Sequence, residues 1–133
     1  MKYIKKKLTI ENVKVQNIAK KFGTPAYCYS YNQLKENINN FKRSFKSFSP
    51  LICFAIKSNT NVNLISEIRK LGLGADVVSM GELMKALKAG IKPNKIVFSG
   101  VGKTVEEIKY AINKKILLIN AESKSEIFEI ERI

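Results

Sequence analysis

Short apolar runs alternate along this chain with longer stretches whose apolar residues recur every three or four positions. The short runs "AYCYS" (26–30), "LICFAIK" (51–57), "ADVVS" (75–79), "KIVFSG" (95–100) and "ILLINA" (116–121) predict strands, and each is followed by a predicted amphipathic helix. Four S/T-x-x-E/Q pairs mark helix starts, at Ser30/Gln33, Ser79/Glu82, Thr104/Glu107 and Ser123/Glu126. In such a pair the hydroxyl and the side chain three residues later satisfy amide groups that the first helical turn leaves free. Gly72 and Gly90 follow two of the periodic stretches, with Pro93 just beyond the second, as expected where a left-handed residue closes a helix.

The strand ends recur at a steady interval: Lys57, Asp76, Ser99 and Ala121 are 19, 23 and 22 residues apart. Strand alternating with helix at this spacing predicts an α/β fold with a parallel sheet, because parallel strands need a crossover and the crossover helix covers a face. A doubly wound sheet and a (β/α)8 barrel both satisfy that pattern. A whole barrel takes about 250 residues. The final stretch "SKSEIFEIERI" begins a capped helix, with Ile127, Ile130 and Ile133 on one stripe, and no closing glycine or strand follows. The expectation is therefore a partial (β/α)8 barrel of about the first four βα units, an N-terminal fragment or truncated product.

Composition narrows the classes. Apolar residues at 45% and charged residues at 26% are ordinary globular values. The net charge of +13 raises a nucleic-acid partner, yet only three of the 24 basic residues are arginine and the lysines are spread rather than striped with aromatics. No nucleic-acid partner is expected. The longest fully apolar run, Leu51 to Ile56, is too short to cross a bilayer, so no membrane role is expected either. Cys28 and Cys53 lie in apolar runs without CxxC spacing, and the chain has no histidine. Two buried thiols in a cytoplasmic protein, and no metal site, are the corresponding expectations.

Among the polar positions, Lys57 stands out because it ends an apolar strand candidate. Alternation puts Leu51, Cys53, Ala55 and Lys57 on one face and the bulky Ile52, Phe54 and Ile56 on the other. Packing the bulky face on helices leaves Lys57 at the C-terminal end of a strand, where barrel active sites lie. Either its stem covers the rim while the ammonium reaches water, or partial burial favours the neutral amine that a carbonyl-bonding lysine needs. Asp76 holds the corresponding end of the next strand, either to hold a cation or to begin a turn. Glu82 reads as the member of its capping pair at the third helical position. "SGVGKT" (99–104) follows a strand and precedes a helix as a phosphate loop does, but GxxxxGK[ST] needs a glycine at position 97, which is valine. Gly100 and Gly102 serve a tight turn instead.

Together the stretches "FGTPAYCYS", "FAIKSNTN", "GLGADVVSMGEL", "ALKAGIKPNKIVFSGVGKT" and "NAESKSEI" resemble the diaminopimelate decarboxylases, of the alanine-racemase-like group of pyridoxal 5'-phosphate (PLP) barrels. The likeness runs from "FGTPAYCYS" to the end, and "FAIKSNTN" is similar to the family's F/Y-A-x-K-A-N-x-N signature, with Ser58 where alanine is commoner. The resemblance implies that Lys57 bonds covalently to PLP, that Asp76 lies near the cofactor, and that the substrate is meso-diaminopimelate, converted to L-lysine. Another basic amino acid is the alternative substrate, and a non-catalytic PLP-carrying half-barrel the alternative role. It further implies a lead-in at 1–24, half a PLP-binding barrel at 25–133, and a homodimer for the full-length protein. A ring-stacking histidine, a glycine-rich phosphate loop, an E-x-G-R segment and a C-terminal β-domain would lie elsewhere. The 133 residues alone are accordingly expected to be inactive.

Overall fold

The computed structural model describes residues 1–133, and the chain divides into two compact units, Met1–Ser49 and Pro50–Ile133.

In the first unit, β1 (Lys2–Ile4), β2 (Lys7–Ile10) and β3 (Val13–Lys14) form an antiparallel sheet in chain order. Ile4 pairs with Lys7, so Lys5 and Lys6 alone make the turn, both at positive φ (47° and 61°). That backbone matches the right-handed twist of the flanking strands. Helices α1 (Val15–Phe22) and α2 (Tyr31–Ser44) follow. The Ser30 hydroxyl accepts from Gln33 N as predicted, but the Gln33 amide turns outward to Asn37. Glu11 takes its place, accepting from Ser30 Oγ and from Asn32 N, each at 2.8 Å. The predicted strand at 26–30 is not formed: these residues pair with no strand, and Tyr27, Cys28 and Tyr29 are exposed. β-Rich residues make a strand only where a ladder neighbour takes their amide groups, so Cys28 is an exposed thiol rather than a buried one.

The second unit repeats one pattern. Strand β4 (Cys53–Ala55) leads through a 3-10 turn (Ile56–Ser58) to α3 (Val62–Lys70). Then come β5 (Gly74–Val77), α4 (Met80–Lys88), β6 (Ile96–Phe98), α5 (Val105–Asn113), β7 (Leu118–Ile119) and α6 (Lys124–Glu131). The four strands are parallel and lie in chain order, with Ala55 beside Asp76, Asp76 beside Val97 and Val97 beside Leu118. Alternation sends Ala75, Val77, Ile96 and Phe98 to one face, where they are fully buried with Ile65 of α3, Leu83 and Ala86 of α4 and Ala111 of α5. Phe54 and Ile56 join that face, as the bulky half of "LICFAIK" predicts. Cys53, Ala55, Asp76 and Val97 share the other. Gly74 is required by close approach: a Cβ there would lie 2.2 Å from the Lys95 carbonyl oxygen.

Gly72 and Gly90 close α3 and α4 at φ 88° and 85°, with Leu73 N bonding Ile68 O and Ile91 N bonding Ala86 O across each turn. Helix α5 ends in the same geometry without a glycine: Lys115 sits at φ 54°, and Ile116 N reaches Ala111 O. Lys115→Gly should therefore stabilise the chain by about 1 kcal/mol, relieving a left-handed lysine at an exposed site. Urea titration measures it, and a loss of stability would show that the lysine side chain contributes more than its backbone strain costs. Ile133, predicted on the last helical stripe, lies beyond α6, and Ile127 on that stripe is exposed.

Candidate active site

The structure places Lys57 in the turn that follows β4 and Asp76 inside β5, the neighbouring strand. Lys57 is not the last residue of a strand as predicted: β4 stops at Ala55 and Lys57 occupies the 3-10 turn after it. Local polar side chains cause the early stop. Ser58 Oγ donates back to Ala55 O at 2.8 Å, Asn59 Oδ1 accepts from Asn61 N, and Asn61 Oδ1 caps α3 through Asn63 N. Ile56, fully buried, pins the turn to the core, while Lys57 is exposed rather than partly buried.

Asp76 lies within β5, with its neighbours Ala55 and Val97 in register on either side. Its Oδ1 is buried and accepts no hydrogen bond. A buried carboxylate oxygen without a donor costs free energy, about 1–3 kcal/mol for a polar group and more for a charged one. Two strand residues before Ala55's end of β4, Cys53 shares this face, and burial, reinforced by the Asp76 charge, pushes its thiol pKa upward. The thiol therefore stays protonated beside the carboxylate.

Capping carboxylates define the rest of the rim. Glu82 N donates to Ser79 Oγ as predicted, but Glu82 Oε2 accepts from Val78 N, one residue before the cap, so Glu82 serves the helix start without closing the predicted box. Glu107 makes the complete capping box with Thr104, and its other oxygen accepts from Met80 N, the first residue of α4. One carboxylate thus serves two helix starts. The Thr104 amide, then the Met80 amide, hold Glu107 below the usual carboxylate pKa. A depressed folded-state pKa contributes stability above the unfolded value, near 4.5, and that contribution disappears as pH falls through the folded value. The Tm should therefore drop on acidification below about pH 5, with a shallower slope in Glu107→Gln. Parallel slopes in the two proteins would assign the acid sensitivity elsewhere.

The motif "SGVGKT" holds what sequence reasoning missed. Gly100 and Gly102 do make a tight turn, at φ 95° and 71°. Lys103 turns inward, its side chain only 1% exposed, and donates to Gly100 O (2.7 Å), Asn120 O (2.8 Å) and Glu126 Oε1 (2.6 Å). All three ammonium hydrogens are used within the protein, so this lysine ties the turn after β6 to the turn after β7. Asn120 Nδ2 in turn donates to Ser99 Oγ at 2.9 Å. Burial pushes the Glu126 carboxyl up, but the Lys103 ammonium and the Glu122 amide outweigh it and leave its pKa lowered. The available signal was the repeat itself: Lys103 and Glu126 are 23 residues apart, one βα unit.

Residues 31–133 match the family described as "Pyridoxal-dependent decarboxylase, pyridoxal binding domain". The chain belongs to the pyridoxal-dependent decarboxylases. Within that family it is 49% identical over 112 residues to a diaminopimelate decarboxylase of Helicobacter pylori strain J99, covering 84% of this chain and 28% of the relative. It is 43% identical over 133 residues to a diaminopimelate decarboxylase of Aquifex aeolicus, covering 100% of this chain and 31% of the relative. The crystal structure of a diaminopimelate decarboxylase from M. jannaschii in complex with L-lysine superposes with a TM-score of 0.92 at 37% identity, over 95% of this chain and 30% of that one. The chain thus spans less than a third of the length of these relatives. The family's cofactor has an aldehyde and several ionic groups, and the residues here fit it: Lys57 offers an exposed primary amine, and Asp76 a carboxylate oxygen still lacking a donor. No helix is long and apolar enough to cross a membrane.

Proposed function

We propose that this chain is the cofactor-bonding part of a (β/α)8 barrel enzyme that decarboxylates meso-diaminopimelate to L-lysine. Four parallel strands in unbroken chain order, with helices packed on one face, support a barrel over a doubly wound sheet, whose strand order reverses at a switch point. The single observation that carries the site assignment is the placement of Lys57 just past the end of β4, with the partnerless Asp76 oxygen on the neighbouring strand. In this reading Lys57 would hold pyridoxal phosphate through its primary amine, which can condense with an aldehyde with loss of water, and Asp76 Oδ1 would accept from a protonated nitrogen brought to the rim. When bound, the cofactor supplies an electron-withdrawing ring that takes up the electron pair left by departing carbon dioxide. The chain's own contribution is position: the Ser58, Asn59 and Asn61 hydrogen bonds hold the Lys57 backbone, and Lys103 joins the two turns that flank Ser99 and Asn120. The substrate assignment rests on the likeness to the H. pylori and A. aeolicus enzymes and to the lysine-bound M. jannaschii structure.

The test is carbon dioxide release by the PLP-loaded full-length protein, with meso-diaminopimelate, L-ornithine and L-arginine compared. We expect kcat/KM for meso-diaminopimelate to exceed the other two by about 10⁴-fold, the scale on which a site's unpaired polar groups reject a wrong substrate. Faster turnover of ornithine or arginine would reassign the substrate.

A further inference from the structure

At the end of the sheet opposite Lys57, a pocket of about 160 Å³ is lined by Arg69, Leu73, Gly90, Ile91, Lys92 and Lys95. Three cations and no carboxylate line it. Leu73 and Ile91, both buried, line it beside the cations, of which Arg69 and Lys92 are exposed. Gly90 shapes one wall: a Cβ there would lie 3.2 Å from Arg69 Cδ and 3.3 Å from its Nε, so the guanidinium stem lies directly over the glycine. Lys95 Nζ donates to Gly72 O at 3.3 Å, which holds it at the mouth. Neither Arg69 nor Lys92 is in an ion pair, and the nearby Glu67 is already taken by Lys70 at 2.7 Å.

Cations at this end have a structural use, because α3 and α4 both finish here and each helix C-terminus carries about half a negative charge. Two such ends amount to about one negative charge, against three positive groups, so an excess of positive charge remains. Arg69 and Lys70 in the last turn of α3 and Lys85 and Lys88 in that of α4 serve those ends. Lys92, by contrast, lies in the loop before the Pro93–Lys95 turn and Lys95 at that turn's end, so the two lysines are the cations the helix ends do not account for. A planar guanidinium beside two ammonium groups suits a tetrahedral oxyanion, with the fork taking two oxygens and the lysines acting as point charges.

We infer that Arg69, Lys92 and Lys95 form a binding site for a phosphate group, free or carried as a monoester on a small metabolite, remote from the Lys57 rim. The experiment uses the full-length protein loaded with pyridoxal phosphate, so that the cofactor's own phosphate contacts are filled. Inorganic phosphate and adenosine 5'-monophosphate are each titrated by calorimetry at constant ionic strength, on the parent and on the Lys92→Gln/Lys95→Gln protein. Saturable binding in the parent, weakened at least tenfold in the double variant with Tm in phosphate-free buffer unchanged or higher, is the expected result. Tighter binding of inorganic phosphate identifies the free ion as the ligand, and tighter binding of the nucleotide a carried phosphate. No saturable binding of either probe, or equal affinity in the two proteins, overturns the site.

Discussion

Lys57→Ala protein should lose its covalent hold on pyridoxal phosphate entirely and turn over at least about 10³-fold more slowly than the parent, since an oriented amine in the site contributes a large effective molarity that free amines cannot match. Borohydride reduction followed by peptide mapping reads this directly: the parent carries the label on the peptide containing Lys57, and the variant carries none. Lys57→Arg separates bonding from charge, because the guanidinium keeps the positive charge but cannot bond an aldehyde, and it should be as inactive as the alanine protein. The chain offers many other lysines, but most stand on exposed helix faces and turns, and Lys57 alone follows β4 beside Asp76. Label on a different lysine, with turnover unchanged in Lys57→Ala, would sink the assignment.

Lys103→Met should cost about 3 kcal/mol, the lower part of the range for breaking a buried ion pair, because Glu126 sits at the margin of the core with its side chain 9% exposed. Methionine fills the space of the lysine stem but leaves the Glu126 carboxylate and the Gly100 and Asn120 carbonyls without their donor. A domain of this size has about 5–15 kcal/mol in hand, so the loss shows plainly in the urea midpoint. The Lys103→Met/Glu126→Met protein should recover much of it, since the uncompensated charge is then gone. A single-variant cost below about 1 kcal/mol would mean that water replaces the ammonium and that the two turns stay joined without it.

What could be read from the residues was local. The serine and threonine caps at 30, 79, 104 and 123 and the glycine ends at 72 and 90 formed where predicted, because each depends on bonds within four or five residues. The parallel sheet followed from the spacing of the apolar runs. What could not be read depended on distant or unusual partners. The hairpin of β1 and β2 turns on Lys5 and Lys6, which give no turn signal because lysine rarely takes positive φ. Residues 26–30 have strand composition and no ladder neighbour. Lys57 drops out of β4 because Ser58 and Asn59 offer the backbone a nearer partner than the next strand does. Lys103, following Gly100 and Gly102 in a tight turn, looks solvent-bound until Asn120 and Glu126 arrive from one repeat later.

The rim carboxylates also set a direction in time. Met80 N waits for Glu107, 27 residues downstream, and Lys103 for Glu126, 23 downstream. As the chain leaves the ribosome from its N-terminus, both of these turns are thus fastened by a side chain that has not yet been made. These two units stay unlatched until the next one emerges, whereas the turn after β4 is fastened by its own Ser58, Asn59 and Asn61, so order at the later turns is acquired one repeat late.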